Sequence, residues 1–206
     1  MALPRARAAG RFPASGRAAG GTELLRRGRF ITISLAFALG LFAQIGLFAH
    51  LLARIGPEFG PSLAAAAISL VTLCAVLGRT VMAGLLGERD RRVAAAANLA
   101  MQAAGSLLLA FGEGMTALAA GCALFGLGVG NLTSLPPLIA QREFRPADVG
   151  TVVALATAIN QAIFAFAPAI FGWLHDRTEN YVAAFALAGA AQLLAAAIVL
   201  IGRRFS

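Results

Sequence analysis

Four polar side chains lie inside long apolar stretches of the sequence, where they could bind a solute. Arg79 is charged, and Gln44, Asn160 and Gln161 carry amides. A guanidinium can hold a carboxylate through two parallel hydrogen bonds, and an amide can both donate and accept. Because polar groups in an apolar environment need partners, we expect each to face a neighbouring helix or a solute cavity. Asn160 and Gln161, near the middle of one stretch, are the best cavity candidates.

Enzyme chemistry is not indicated. The sequence has neither a Gly-x-Ser-x-Gly nor a His-Glu-x-x-His motif, and its two histidines, His50 and His175, have no nucleophile in an obvious pairing. His50 stands near the end of an apolar stretch, where it could relay protons or simply occupy the membrane interface. We predict no catalytic residue, no metal site and no cofactor.

The composition indicates a membrane protein. Of the 206 residues, 59% are hydrophobic and 13% are charged, whereas soluble domains have roughly 45–50% and 25%. Mean hydropathy is +0.80, and the charges form short islands between apolar windows of about twenty residues. All seventeen basic residues are arginines, giving a net charge of +8, but they do not form the basic face with interleaved aromatics that nucleic-acid binding requires.

Six apolar windows are long enough to cross a bilayer of about 30 Å as helices. They cover residues 30–52, 63–86, 93–111, 115–140, 149–173 and 181–202. We therefore predict an all-α polytopic transmembrane domain over residues 30–204, with short loops and antiparallel neighbours. The composition of residues 1–29 predicts a basic, disordered cytoplasmic arm that lies against anionic lipid, although it also fits a transit peptide.

The distribution of arginine predicts the orientation. With the N-terminus inside, fifteen of the seventeen arginines lie on the cytoplasmic side, against Arg54 and Arg177 outside. We expect both termini to be cytoplasmic and the chain to be integral to a bacterial cytoplasmic membrane.

Two charged loops share a sequence pattern. "GLLGERD" at 84–90 and "GWLHDRT" at 172–178 both read Gly, any residue, Leu, any residue, acid, Arg, and they lie 88 residues apart. Each follows the second helix of a three-helix group, on opposite sides of the membrane. This placement predicts a 3+3 inverted repeat, although common helix-ending chemistry could also produce the match.

These loops resemble those of a known family. "GRTVMAGLLGERDRR" at 78–92 is similar to the signature loop of the major facilitator superfamily, and "APAIFGWLHDRTENYVAAF" at 167–185 looks like its junction between helices eleven and twelve. The sequence departs from the signature at Glu88, Arg91 and Val93. The resemblance covers residues 24–204 and implies the C-terminal half, helices seven to twelve, of a transporter of the usual twelve-helix size.

The resemblance implies a secondary carrier of a small solute that works by alternating access. "GR" at 78–79 is similar to the substrate-binding Arg of monocarboxylate and oxalate–formate carriers, which implies a monocarboxylate-type anion bound by Arg79. From the residues alone, snorkelling or pairing with Glu88 or Asp90 is an equal alternative. Asn160, Gln161 and Gln44 complete the predicted site.

The resemblance also implies a conformational role for the two loops. The residues expected to take part are Gly84, Glu88, Arg89, Arg92, Gly172, Asp176 and Arg177. Gly84 is expected to permit close helix packing.

Transport requires a second six-helix half, as a separate chain or a second copy, which would also hold the acids for any proton or ion coupling. The alternative is an inactive half-transporter or a membrane scaffold.

Overall fold

The computed structural model describes residues 20–87 and 89–205, and all of its regular elements are helices. They are α1 Gly21–Leu25, α2 Gly28–Phe59, α3 Pro61–Leu86, α4 Arg91–Phe111, α5 Gly114–Val129, α6 Leu135–Glu143, α7 Pro146–Phe164, α8 Ala167–Thr178 and α9 Val182–Ile201, followed by a 3-10 turn at Gly202–Phe205. Within the described ranges, five segments are long and apolar enough to cross a membrane, α7 and α8 counting as one, while α5 is apolar but shorter. The all-α polytopic fold is confirmed.

The predicted fourth span, 115–140, is two helices rather than one. The α-helical ladder stops after Val129, and bonds from Asn131 to Gly128 and from Ser134 to Asn131 form a tight turn. Pro136 and Pro137 cannot donate the backbone hydrogen bonds that would continue the α5 ladder across this turn. Together α5 and α6 occupy the window predicted as the fourth span.

The fifth crossing is also interrupted by proline. Because Pro168 has no N–H to offer the carbonyl of Phe164, α7 ends there and α8 starts at Ala167. The first crossing is longer than its predicted 30–52, since α2 runs from Gly28 to Phe59.

The prediction of a disordered arm over 1–29 is wrong for its last part. Residues 21–25 form α1, and α2 already begins at Gly28. The side chain of Leu24 is fully buried in the core, and burying a leucine stabilises such a short helix. Residues 1–19 lie outside the described part of the chain.

Helix α2 is the centre of the bundle and packs against α3, α7, α8 and α9, while α4 packs between α5 and α9. Glycines set the closest approaches. A methyl group added at Gly126 would lie 2.7 Å from the carbonyl oxygen of Val71, and one at Gly130 would lie 2.7 Å from that of Ala75. These two glycines, one turn apart on the α5 side, therefore let α3 and α5 touch through their backbones.

Amide side chains join the helices away from the lipid. Asn131 donates to the Oδ1 atom of Asn98 at 2.9 Å, linking the turn after α5 to α4. Gln192 of α9 accepts from Ser106 at 2.7 Å and donates to the Oε1 atom of Gln102 at 3.3 Å. Such interhelical hydrogen bonds contribute about 0.6 kcal/mol each in membranes.

Candidate functional site

A cavity of about 300 Å³ opens between α2, the turn after α5, α6 and α7. Three of the four predicted site residues, Gln44, Asn160 and Gln161, line it together. The remaining lining residues are Leu41, Ile45, Leu132, Thr133, Pro136, Pro137, Thr157 and Phe164.

The spacing of the lining residues on each helix explains why they meet. On α7 the lining residues follow the spacing i, i+3, i+4, i+7, which places them on one face of a helix. They are Thr157, Asn160, Gln161 and Phe164. On α2 the lining residues Leu41, Gln44 and Ile45 stand at i, i+3 and i+4, so a face of this second helix also lines the cavity. Sequence reasoning missed Thr157, although its place one turn before Asn160 could have revealed it.

The two amides deepest in this wall have unused acceptors. Gln44 is 6% exposed and Asn160 is 5% exposed. The Oε1 atom of Gln44 and the Oδ1 atom of Asn160 are buried and receive no hydrogen bond from the described residues. A buried polar atom without a partner costs about 1–3 kcal/mol, so both oxygens are costly unless something else supplies a donor.

Arg79 is not part of this cavity. Its Nε–H donates to the carbonyl oxygen of Gly130 at 3.1 Å, on the turn after α5. That carbonyl stands at the C-terminal end of α5, where carbonyls lose their intrahelical partners and a positive charge complements the helix dipole. Arg79 is exposed on α3 and does not line the cavity with Gln44, Asn160 and Gln161, because α3 packs on α5 rather than beside α7; its role in solute binding stays a prediction.

Arg92, predicted as a residue of the charged loop, is buried, with only 1% of its area exposed. Its guanidinium forms two parallel bonds to Glu143, 2.6 Å from Nε to Oε1 and 2.8 Å from Nη2 to Oε2. Further bonds reach Thr32 at 3.2 Å and the carbonyl of Val199 at 3.1 Å. Helices α2, α4, α6 and α9 are thereby joined through one side chain.

Neighbouring charges reinforce this end of the bundle. The side chain of Asp90 caps α4 by accepting from the backbone N–H groups of Arg92 and Val93, and it pairs with Arg203 at 2.8 Å. Arg29 donates to the carbonyl of Glu143 at 2.8 Å. Sequence reasoning missed Glu143, although an acid at a span end on the same predicted side as Arg92 was a usable signal.

The other predicted loop residues differ widely in their surroundings. Gly84 is exposed, and a methyl group there would meet no atom within 4 Å. Its expected packing role is therefore wrong, because α3 meets α5 through the side that carries Gly78. Arg89 is exposed, and Glu88 lies outside the described residues. In the second loop, Asp176 contacts His175 at 3.3 Å and the guanidinium of Arg177 lies 5.5 Å from the ring centre of Trp173.

His50 ties α2 to the start of α8. Its Nε2 atom lies 2.9 Å from the carbonyl oxygen of Pro168, which can only accept, so Nε2 carries the proton. Its Nδ1 atom lies 3.5 Å from the hydroxyl of Tyr181. Burial, and then the negative charge of Asp176, raise the pKa of Tyr181. Gly172 lies beside this contact: a methyl group added there would lie 3.5 Å from the Cε1 atom of the His50 ring.

The comparisons with known proteins agree with this architecture. Residues 17–200 match the family described as the uncharacterised MFS-type transporter YbfB, where MFS stands for major facilitator superfamily. The probable actinorhodin transporter of Streptomyces coelicolor is 33% identical over 162 residues, which cover 74% of this chain and 28% of that protein.

A solved structure shows the same fold. The fucose:proton symporter FucP of E. coli superposes with a TM-score of 0.76 at 18% identity, over 90% of this chain and 44% of that one. The chain thus spans less than half the length of both relatives. It is an integral membrane protein that belongs to the major facilitator superfamily, a superfamily of carriers rather than enzymes, in the family described as the uncharacterised MFS-type transporter YbfB.

Proposed function

We propose that this chain is one half of a secondary carrier that moves a small solute across a bacterial cytoplasmic membrane by alternating access. The 300 Å³ cavity is then this half's share of the solute site, with Gln44, Asn160 and Gln161 as binding residues. Both termini are cytoplasmic, as the arginine distribution predicts.

One observation carries the proposal: polar side chains of the cavity are exposed in the middle of an apolar crossing. Thr157 and Gln161 of α7 and Thr133 of the preceding turn are all exposed. Polar groups at this depth are avoided on lipid-facing surfaces and belong to protein contacts or water-filled cavities. The cavity therefore requires a wall that the described residues do not supply.

The burial of the helices supports a position for the proposed wall. The most apolar window of α2 is 72% buried within the chain, whereas that of α3 is 28% buried and that of α7–α8 is 17% buried. A second six-helix half placed against α3 and α7–α8 would cover both the cavity and these faces. It is supplied by a separate chain or by a second copy of this one.

The printed names of the relatives support transport of a small solute and, in one case, coupling to protons. Among the described residues, the acids lie outside the cavity, so in our proposal the second half holds the coupling carboxylate.

The proposal is tested by crosslinking and by flux. Leu77 of α3, which is 50% exposed, is replaced by cysteine, and Phe111 of α4, which is 63% exposed, serves as the matched control. We expect Leu77→Cys to crosslink to a second half in native membranes and Phe111→Cys to remain uncrosslinked. Proteoliposomes loaded with a pH-sensitive dye and containing the crosslinked pair should then show solute-dependent flux when the crosslink is reduced.

A chain that stays monomeric in membranes, or that forms the pair without flux of any solute tested, would favour the inactive half or the scaffold instead.

A further inference from the structure

We propose that the solute offers hydrogen-bond donors, as hydroxyl or amine groups, to this half of the carrier, and that it does not present a carboxylate there. This inference rests on the proposed function, because it takes the cavity as the solute site. It names the solute class that the walls of the cavity can stabilise.

The walls offer no charge to an anion. The lining consists of amides, hydroxyls, prolines and hydrocarbon side chains, and none of these groups ionises. Arg79 does not line this cavity, and its Nε–H donates to the carbonyl of Gly130. A carboxylate entering this half would lose water without gaining a cation, which is strongly unfavourable in an apolar surrounding.

The walls are rich in acceptors that lack donors. Two buried amide oxygens within the described chain receive no hydrogen bond, and both belong to cavity residues, Gln44 and Asn160. Amides elsewhere in the bundle do use their oxygens: Gln192 accepts from Ser106, and Asn98 accepts from Asn131. The amides that join helices therefore have hydrogen-bonded oxygens, whereas the oxygens of Gln44 and Asn160 lack a donor, which we infer the solute supplies.

The backbone adds further acceptors at the same place. Since Pro136 and Pro137 have no N–H, the carbonyls of Leu132 and Thr133 cannot receive the usual hydrogen bond from four residues along. Both Leu132 and Thr133 line the cavity. The two amide residues, Leu132 and Thr133 therefore line a space also bounded by Leu41, Ile45 and Phe164, which suits a solute with donor groups on an apolar frame.

The first test uses the purified full chain in detergent without solute. If Gln44 and Asn160 wait for a solute, then Gln44→Leu and Asn160→Leu remove unsatisfied oxygens and should each raise the melting midpoint, by about 2–4 °C per kcal/mol gained. The matched control Gln192→Leu breaks two formed hydrogen bonds and should lower it. If the melting midpoints of the two cavity variants fall as that of the control does, these amides are structural and the inference is overturned.

The second test measures solute binding as a shift of the same midpoint. Two frames are each offered as alcohol, amine and carboxylate: galactose, galactosamine and galacturonate, and benzyl alcohol, benzylamine and benzoate. We expect alcohols or amines to stabilise the protein, an effect lost in Gln44→Leu/Asn160→Leu and kept in Arg79→Gln. Stabilisation by carboxylates alone, its loss in Arg79→Gln, or no stabilisation by any alcohol or amine would overturn the inference.

The two proposals fail in different ways. If donor-bearing solutes bind the chain but do not cross a membrane that contains both halves, the transport function is contradicted and the solute class is supported. Uptake of a carboxylate that depends on Arg79 would keep the transport function and remove the solute class.

Discussion

The two copies of the charged pattern, 84–90 and 172–178, have the same sequence spacing but opposite surroundings. Both end one helix and are followed by a side chain that accepts a backbone N–H at the start of the next. Asp90 accepts from the N–H of Arg92 at 2.9 Å, and Asn180 accepts from the N–H of Val182 at 3.0 Å. Beyond the caps, Arg92, two residues after the first copy, joins α4 to three other helices, whereas Asp176 contacts His175 and Arg177 contacts Trp173 on their own helix.

The difference comes from the partners that the fold brings to each loop. Glu143, Thr32 and the carbonyl of Val199 converge on Arg92 from three other helices. The second copy has Asn180 at the position equivalent to Arg92, 88 residues later. A shared local pattern therefore predicts shared helix ends, and the long-range contacts decide how much each loop contributes to stability.

The largest expected effect is at Arg92. Arg92→Met leaves the carboxylate of Glu143 buried without a cation, and we expect it to lower the free energy of unfolding by about 3–5 kcal/mol. Unfolding of the purified protein by titration with SDS measures this loss. Arg92→Met/Glu143→Met should lose less than the single variant, since no unpaired charge remains. A single-variant loss below about 1 kcal/mol would contradict the importance of this network.

The contributions of the two caps to stability should differ less than those of the longer-range contacts of the two copies. Asp90→Ala removes two cap hydrogen bonds, and we expect a loss of about 1 kcal/mol, with Asn180→Ala losing somewhat less. Asp90→Asn keeps the cap and removes only the exposed pair with Arg203, so it should lose at most a few tenths of a kcal/mol. SDS titration again provides the measurement. If Asp90→Asn loses as much as Asp90→Ala, the ion pair rather than the cap is responsible.

Gly84 of the first copy should give a smaller effect of opposite sign. Gly84→Ala places a methyl group in open space on a helix, so we expect a gain of about 0.5–1 kcal/mol in unfolding free energy. Gly78→Ala is the control, because its methyl group would fall on the carbonyl of Leu127, and it should destabilise. A loss at Gly84 similar to that at Gly78 would restore the packing role predicted from the sequence.

The smallest effect is expected at Asp176. Asp176→Asn removes a charge whose side chain is 79% exposed beside His175. Exposed pairs contribute about 0–1 kcal/mol, and we expect a change below about 0.5 kcal/mol. A loss of 2 kcal/mol or more would mean that the second copy has a long-range partner after all, and the contrast between the copies would disappear.

Local patterns were enough to predict much of the site. The apolar windows predicted the helices, and the presence of amides inside those windows identified Gln44, Asn160 and Gln161, which line one cavity. This works because apolar length and helical periodicity are properties of each segment alone. The 3+3 inverted repeat and the second half stay predictions.

Arg79 and Glu143 show what local patterns cannot provide. The partner of Arg79 is a carbonyl 51 residues away, and that carbonyl is available only because α5 ends at a turn that hydropathy does not reveal. Glu143 likewise acquires its role from Arg92, which lies 51 residues before it. Both roles depend on which helices pack together, and a single sequence does not specify that packing.

The groups around Arg92 come from both ends of the described chain, and this affects when the bundle can be completed. The bonds of this guanidinium reach from the carbonyl of Arg29 to that of Val199, so they are completed only after the ribosome has made α9 and the membrane has received it. Until then, Arg92 lacks the acceptor that Val199 of α9 provides. One side chain thus makes the maturity of the bundle depend on its last helix.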